Sequence, residues 1–129
     1  MVKEIKVYSQ DRFQLIDITP EVEKTVTESR VKDGFCLVFV PHSTAAVILT
    51  ENEEGLKKDW LTVLIKLVSG FEFVHDRIDN NADSHLLSGI LGQGKTLPVE
   101  KGKLVRGIWQ QIFLVELDGP RERKVVVSV

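Results

Sequence analysis

Two short apolar runs, Phe35–Val40 and Ala45–Thr50, lie close together in the chain, with only Pro41-His42-Ser43-Thr44 between them. Both are too short for core helices and too apolar for loops, so both read as strands. The almost unbroken apolar content of Phe35–Val40 predicts a strand buried on both faces. Pro41 has no N–H to give to a ladder and ends that strand. The second run closes at Glu51-Asn52-Glu53-Glu54. A strand that stays regular through Pro41 puts His42 on the face shared by Cys36, Val38 and Val40.

The rest of the chain can be read around this pair. Val2–Ser9 and Arg12–Thr19 alternate and predict a hairpin with Gln10-Asp11 at its turn. Thr19-Pro20 predicts a helix start, because Thr caps and Pro is preorganised for the first turn. Val22 and Val26 give that helix one apolar side, and Asp33-Gly34 ends it. Gly55–Val68 carries Leu56, Trp60, Val63, Leu64 and Leu67 at helical spacing and predicts a core helix packed on a sheet. Phe71–Asp79 reads as a short strand or an extended loop. Asn80 or Asn81 caps a further helix over Ala82–Leu91. Leu86, Leu87, Ile90 and Leu91 form its expected core face. Ala82, His85, Ser88, Gly89 and Gly92 form a small-residue face that lets a ligand or another backbone approach His85.

The C-terminal part reads as strands. Lys95–Val99 and Lys103–Ile108 flank a turn at Glu100-Lys101-Gly102, and Gln111–Leu117 and Lys124–Val129 flank Asp118-Gly119-Pro120-Arg121. The run Val125-Val126-Val127 predicts burial on both faces or pairing with another subunit. The order ββαββααββββ, with mostly antiparallel sheet and about three helices, predicts an α+β layered fold in one domain over residues 1–129.

A 129-residue chain with 43% hydrophobic and 28% charged residues has a globular composition. Its net charge of −2, with no basic stripe, argues against nucleic-acid binding. The N-terminus has no apolar signal core, and no long apolar stretch predicts a membrane span. The expected location is therefore cytoplasmic. The single cysteine, Cys36, excludes an internal disulfide and reads as a small buried side chain.

The three histidines, His42, His75 and His85, carry the chemistry that the residues suggest. Two lie in VHDRIDNNADSHLLSGILG, a stretch dense in acids and amides. Neutral imidazoles bind zinc-like ions, and three with a water make a catalytic type of site. General acid–base work, or three separately hydrogen-bonded histidines, fits the same residues. Ser43 and Thr44 beside His42 lack a GxSxG elbow and read as strand-end hydrogen-bonding groups. GILGQGKT ends a helix instead of opening one, which argues against a phosphate loop. Arg121, Arg123 and Lys124 form a small basic cluster at a turn, either an anion site or a solvated hairpin end.

Several segments together resemble one family. His42-Ser43-Thr44-Ala45-Ala46 with Glu51-Asn52-Glu53 is similar to its HTSAA…NE segment, and Asn81-Ala82-Asp83-Ser84-His85-Leu86 to its NAxxHL segment. Gly107-Ile108-Trp109-Gln110-Gln111-Ile112-Phe113 is similar to GTWQxIF, with Ile108 where Thr is common, and Asp118-Gly119-Pro120-Arg121 matches its DGPR turn. This is the YjbQ family, also labelled the secondary thiamine-phosphate synthase family. The resemblance implies a homotrimer with sites at subunit boundaries and a thiamine-phosphate synthase side activity, which joins a pyrimidine pyrophosphate to a thiazole phosphate and releases pyrophosphate. It also implies functional roles for His42, His75 and His85 and for the Trp109-Gln110 pair.

On this reading His42, His75 and His85 are catalytic or hold a divalent metal, zinc or magnesium. Ser43, Thr44, Glu51, Asn81, Gln110 and Arg121 line the ligand site, with Asp79 and Arg123 as further contacts. The ligand is a small phosphorylated molecule or anion. The alternative is a non-catalytic trimer that binds a metal or an anion.

Overall fold

A computed structural model describes residues 1–129. The strands are β1 (Val2–Tyr8), β2 (Gln14–Asp17), β3 (Gly34–Phe39), β4 (Ala45–Thr50), β5 (Gly94–Glu100), β6 (Lys103–Leu104), β7 (Gln111–Glu116) and β8 (Glu122–Ser128). The helices are α1 (Thr19–Ser29), α2 (Glu54–Leu67) and α3 (Ala82–Leu91), with a 3₁₀ turn at Val74–Arg77. The α+β class and the element order are those expected from sequence.

The pairing is not. β1 and β2 do not form a hairpin, and neither do β7 and β8. One sheet of five strands runs β1-β8-β3-β5-β6, and a second of three runs β2-β7-β4. Every paired ladder is antiparallel. Only β5 and β6 pair across the short turn between them, where Lys101 and Gly102 both take positive φ.

The three-stranded sheet is the middle layer. One of its faces packs Ala45, Val47, Ile112 and Leu114 against Val7, Cys36, Val38, Leu97, Val125 and Val127 of the larger sheet, with Val22 and Val26 of α1 closing the edge. Its other face packs Ala46, Ile48, Phe113 and Val115 against Leu64 of α2 and Leu87 of α3. The strands buried on both faces are therefore β4 and β7. β3 belongs to the outer sheet, so Cys36 and Val38 are inside while Phe35 is 71% exposed and Leu37 and Phe39 are partly so. The same layering leaves Val126 half-buried between the buried Val125 and Val127. Cys36 is buried as expected, and burial pushes its thiol up to about 11.

The helices also depart from expectation. α2 buries Leu64 fully but leaves Val63, Ile65 and Leu67 exposed. In α3 the expected leucine face splits: Leu87 turns inward together with the small residues Ala82, Ser84 and Ser88. Ser84 Oγ donates to Leu117 O, and Ser88 Oγ donates to Ala45 O at 2.6 Å. Both serines are fully buried, whereas Leu86 and Ile90 are exposed. A close helix-to-sheet approach needs small side chains, and their hydroxyls need acceptors once buried. α1 ends at Arg30, a left-handed residue, before the expected Asp33-Gly34. No helix is long and apolar enough to cross a membrane.

Candidate functional site

β4 and β7 run antiparallel with Ala45 opposite Glu116. The segment that enters β4 therefore stands beside the residues that leave β7, and Arg123, near the start of β8, joins the two. Its Nε donates to Glu116 Oε1 at 2.9 Å and Oε2 at 3.1 Å, and its Nη2 donates to Glu116 Oε2. The same Nη2 donates to Thr44 O and Thr44 Oγ1, each at 2.9 Å. Glu116 Oε1 also accepts Ser9 Oγ at 2.7 Å, and Oε2 accepts the N–H groups of Leu117 and Asp118 at 3.0 Å.

Arg123 is 1% exposed and Glu116 0%, and burying this pair depends on the hydrogen bonds that meet the Glu116 carboxylate and the Arg123 Nε and Nη2. Burial pushes the Glu116 carboxyl up. Hydrogen bonds from Arg123, Ser9 and the Asp118 N–H, with the charge of Arg123, outweigh that and hold it below the usual glutamate range. The sequence reading put Arg123 in a basic cluster at a turn, as part of an anion site or of a solvated hairpin end. It is inside because it shares a strand face with Val125 and Val127.

Asp118 continues the network outward. Its Oδ2 accepts Asn81 Nδ2 at 2.9 Å and Arg121 Nη2 at 3.3 Å, and its carbonyl accepts Arg121 Nε at 2.8 Å. Asn81 Oδ1 lies 2.8 Å from His75 Nε2. The rings of His75 and His85 meet edge to face with centroids 4.9 Å apart. Asn81 opens α3 without capping it through its side chain; the Ala82 N–H is met by Asp76 Oδ1 at 3.1 Å instead. The 3₁₀ turn that carries His75 is closed by Ile78 and Asp79 N–H groups donating to the His75 carbonyl.

His42 is held separately. Its Nε2 accepts the backbone N–H of Lys124 at 2.9 Å. Burial, then the charge of Arg123, pushes the imidazole below its ordinary pKa; Glu116 opposes this, and Arg121 and Lys124 add to it. The neutral ring with its lone pair at Nε2 must carry its proton at Nδ1. His42 borders a shallow depression of about 300 Å³ with Phe39, Val40, Pro41, Ser43 and Gln93. A larger hollow of about 460 Å³ runs over Phe71–Val74, Asp76 and Arg77, beside His75. Another, of about 440 Å³, lies apart from the histidines, between Glu23 of α1 and Lys103 and Arg106.

The expected site residues thus separate. His75, His85, Asn81 and Arg121 share one network with Asp118. Thr44 is buried and serves Arg123, while Ser43 is exposed on the rim of the His42 depression. Asp79 is exposed on the turn after His75. Glu51 and Gln110 are elsewhere. Thr50 pairs with Gln111 at the far end of the ladder from Ala45 and Glu116, about 17 Å away at ~3.3 Å per residue. There Gln110 Oε1 accepts the Gly107 N–H at 2.7 Å.

No three His, Cys, Asp or Glu side chains are arranged to hold a metal ion. The expected three-histidine metal site is therefore not assembled within the chain. The reason is local: His42 gives its lone pair to Lys124 and cannot also give one to a metal while it stays neutral. Sequence reasoning missed Asp118 and Glu116 as members of the site. For Glu116 a signal was present, an acid set inside the apolar run Ile112–Leu117.

The sequence matches the family described as "UPF0047 protein YjbQ-like" over residues 3–129. The chain belongs to this family. A UPF0047 protein of Archaeoglobus fulgidus is 47% identical over 97% of this chain and 98% of its own. The UPF0047 protein YugU of Bacillus subtilis is 32% identical over 100% of this chain and 98% of its own. A crystal structure of a "YbjQ-like protein of unknown function" from Sulfolobus solfataricus superposes with a TM-score of 0.97 at 47% identity, covering 98% of this chain and 94% of that one. None of these family names specifies an activity. The family is thus shared along the whole chain, fold included.

Proposed function

We propose that this YjbQ-family chain binds a small phosphorylated molecule at the end of the sheets where His42, Arg121 and Lys124 lie, as a homotrimer. One observation carries the reading: the Lys124 N–H fills the His42 lone pair, so the neutral ring offers an Nδ1–H donor. Arg121, Arg123 and Lys124 bring positive charge to the same ring. A fixed donor among cations suits an oxyanion and does not suit a metal. A thiamine-phosphate synthase-like side activity fits this reading, because pyrophosphate displacement asks for positioning and positive charge more than for covalent work.

The test is calorimetric titration of inorganic pyrophosphate into wild type and His42→Ala. Wild type is expected to bind, and the variant to bind at least ~10-fold more weakly, the worth of one charge-assisted hydrogen bond. Equal affinity, or one zinc per chain lost on His42→Ala, would overturn the proposal. Pyrophosphate binding without thiamine-phosphate formation from the two phosphorylated heterocycles would leave the non-catalytic anion-binding alternative.

The trimer rests on surface chemistry. Val74 and Ile78, close to His75 in the chain, and Ile90 of α3 are 72%, 88% and 69% exposed. Exposed apolar side chains of this kind fit a surface covered by another copy. Light scattering should give three times the chain mass for wild type and a lower mass for Ile78→Asp. A monomeric wild type would remove this part of the proposal.

A further inference from the structure

We infer that Asp118 decides which nitrogen of His75 carries the proton, acting through Asn81 as a positioning residue. A carboxylate has no proton to give, so the group facing Asp118 Oδ2 at 2.9 Å must be the Asn81 amide NH₂. That fixes the amide orientation and turns Asn81 Oδ1, which only accepts, toward His75 Nε2 at 2.8 Å. His75 Nε2 must then hold the hydrogen. In the neutral ring the lone pair is at Nδ1, available to take a proton from a ligand.

The two imidazoles are consequently set in opposite senses. The Lys124 N–H forces His42 into the Nδ1–H form, and Asp118 through Asn81 forces His75 into the Nε2–H form. The free nitrogen is a donor on one ring and an acceptor on the other. The carboxylate is itself fixed. Arg121 donates to its Oδ2 and, through Nε, to its carbonyl, and the Asp118 N–H donates to the buried Glu116. Asn81 is buried, which limits competition by bulk water for its amide.

This inference deepens the ligand-binding reading, but its test uses ligand-free protein, so failure of pyrophosphate binding leaves it standing or falling separately. Long-range ¹⁵N–¹H correlation spectra of ¹⁵N-histidine-labelled protein report the tautomer of each ring. Wild type is expected to show His75 as Nε2–H by at least ~10-fold and His42 as Nδ1–H. Asp118→Asn lets the amide at 118 present either end to Asn81, which can then turn over. His75 should become a mixture of both forms while His42 stays unchanged as the internal control. Arg121→Ala keeps the carboxylate and should keep the Nε2–H form. Should Asp118→Asn fail to fold, Asn81→Ala is read in the same way. An Nδ1–H form of His75 in wild type, or an unchanged population in either folded variant, would overturn the inference.

Discussion

Arg123→Met is expected to destabilise the chain by ~3–5 kcal/mol, because it leaves Glu116 charged, buried and short of its main partner. At about 4 °C per kcal/mol for a chain of this length, the melting temperature should fall by roughly 10–20 °C in calorimetry. Thr44, whose carbonyl and hydroxyl both lose their donor, adds to the loss. The double variant Arg123→Met/Glu116→Leu removes both charges and should recover most of the stability. A coupling energy near zero in that cycle would show that the pair is not the source of the effect. The pair also sets an acid limit. The folded-state pKa of Glu116 lies below its unfolded value, so its contribution is fully present above about pH 4.3 and is lost as pH falls through the lower folded value. Glu116→Gln should flatten the fall of stability in that acid range while lowering stability at pH 7.

Gly119→Ala should cost about 1–3 kcal/mol, the usual range for forcing a methyl into filled space. A Cβ at residue 119 would stand 2.6 Å from Ser9 Oγ and 2.8 Å from Glu116 Cγ, and would press on the Asp11 carbonyl. None of these can move freely. Ser9 Oγ is engaged with Glu116 and Arg121, and Glu116 with Arg123. The strain should therefore pass into the buried ion pair and add poorly with Arg123→Met. Gly89→Ala is the contrast. Nothing lies within 4 Å of a Cβ there, and α3 should gain about 0.5–1 kcal/mol from the better helix former. Chemical denaturation of the two variants side by side measures both; a Gly119→Ala variant as stable as Gly89→Ala would show that the turn yields.

The element boundaries were legible where the signal is local. Ala82–Leu91 is a helix as its pattern predicts, and the apolar runs became β3 and β4. Which strand pairs with which was not legible, because β1 and β8 are separated by almost the whole sequence and nothing local to either names the other. The α3 faces were misread for a different reason. Leucine usually marks the core, but a helix seated close on a sheet needs Ser84 and Ser88 inward and leaves Leu86 out. Arg123 was hidden by its charge, although its alternation with Val125 and Val127 already placed it inside. His75 was found but its orientation was not, since that depends on Asp118 across 43 residues of chain.

The pairing of β1 has a consequence for how the molecule is made. Val2–Tyr8 has a ladder partner only in Glu122–Ser128, with Val2 opposite Ser128. During synthesis β1 therefore waits, unpaired, until β8 has emerged. At ~5–20 residues per second that interval is ~6–25 s for this length. The alternating charges of Lys3, Glu4 and Lys6 suit that exposure, since a charged strand resists pairing with other nascent chains. The outer sheet can close only once β8 has been made, and its closing joins strands separated by more than a hundred residues.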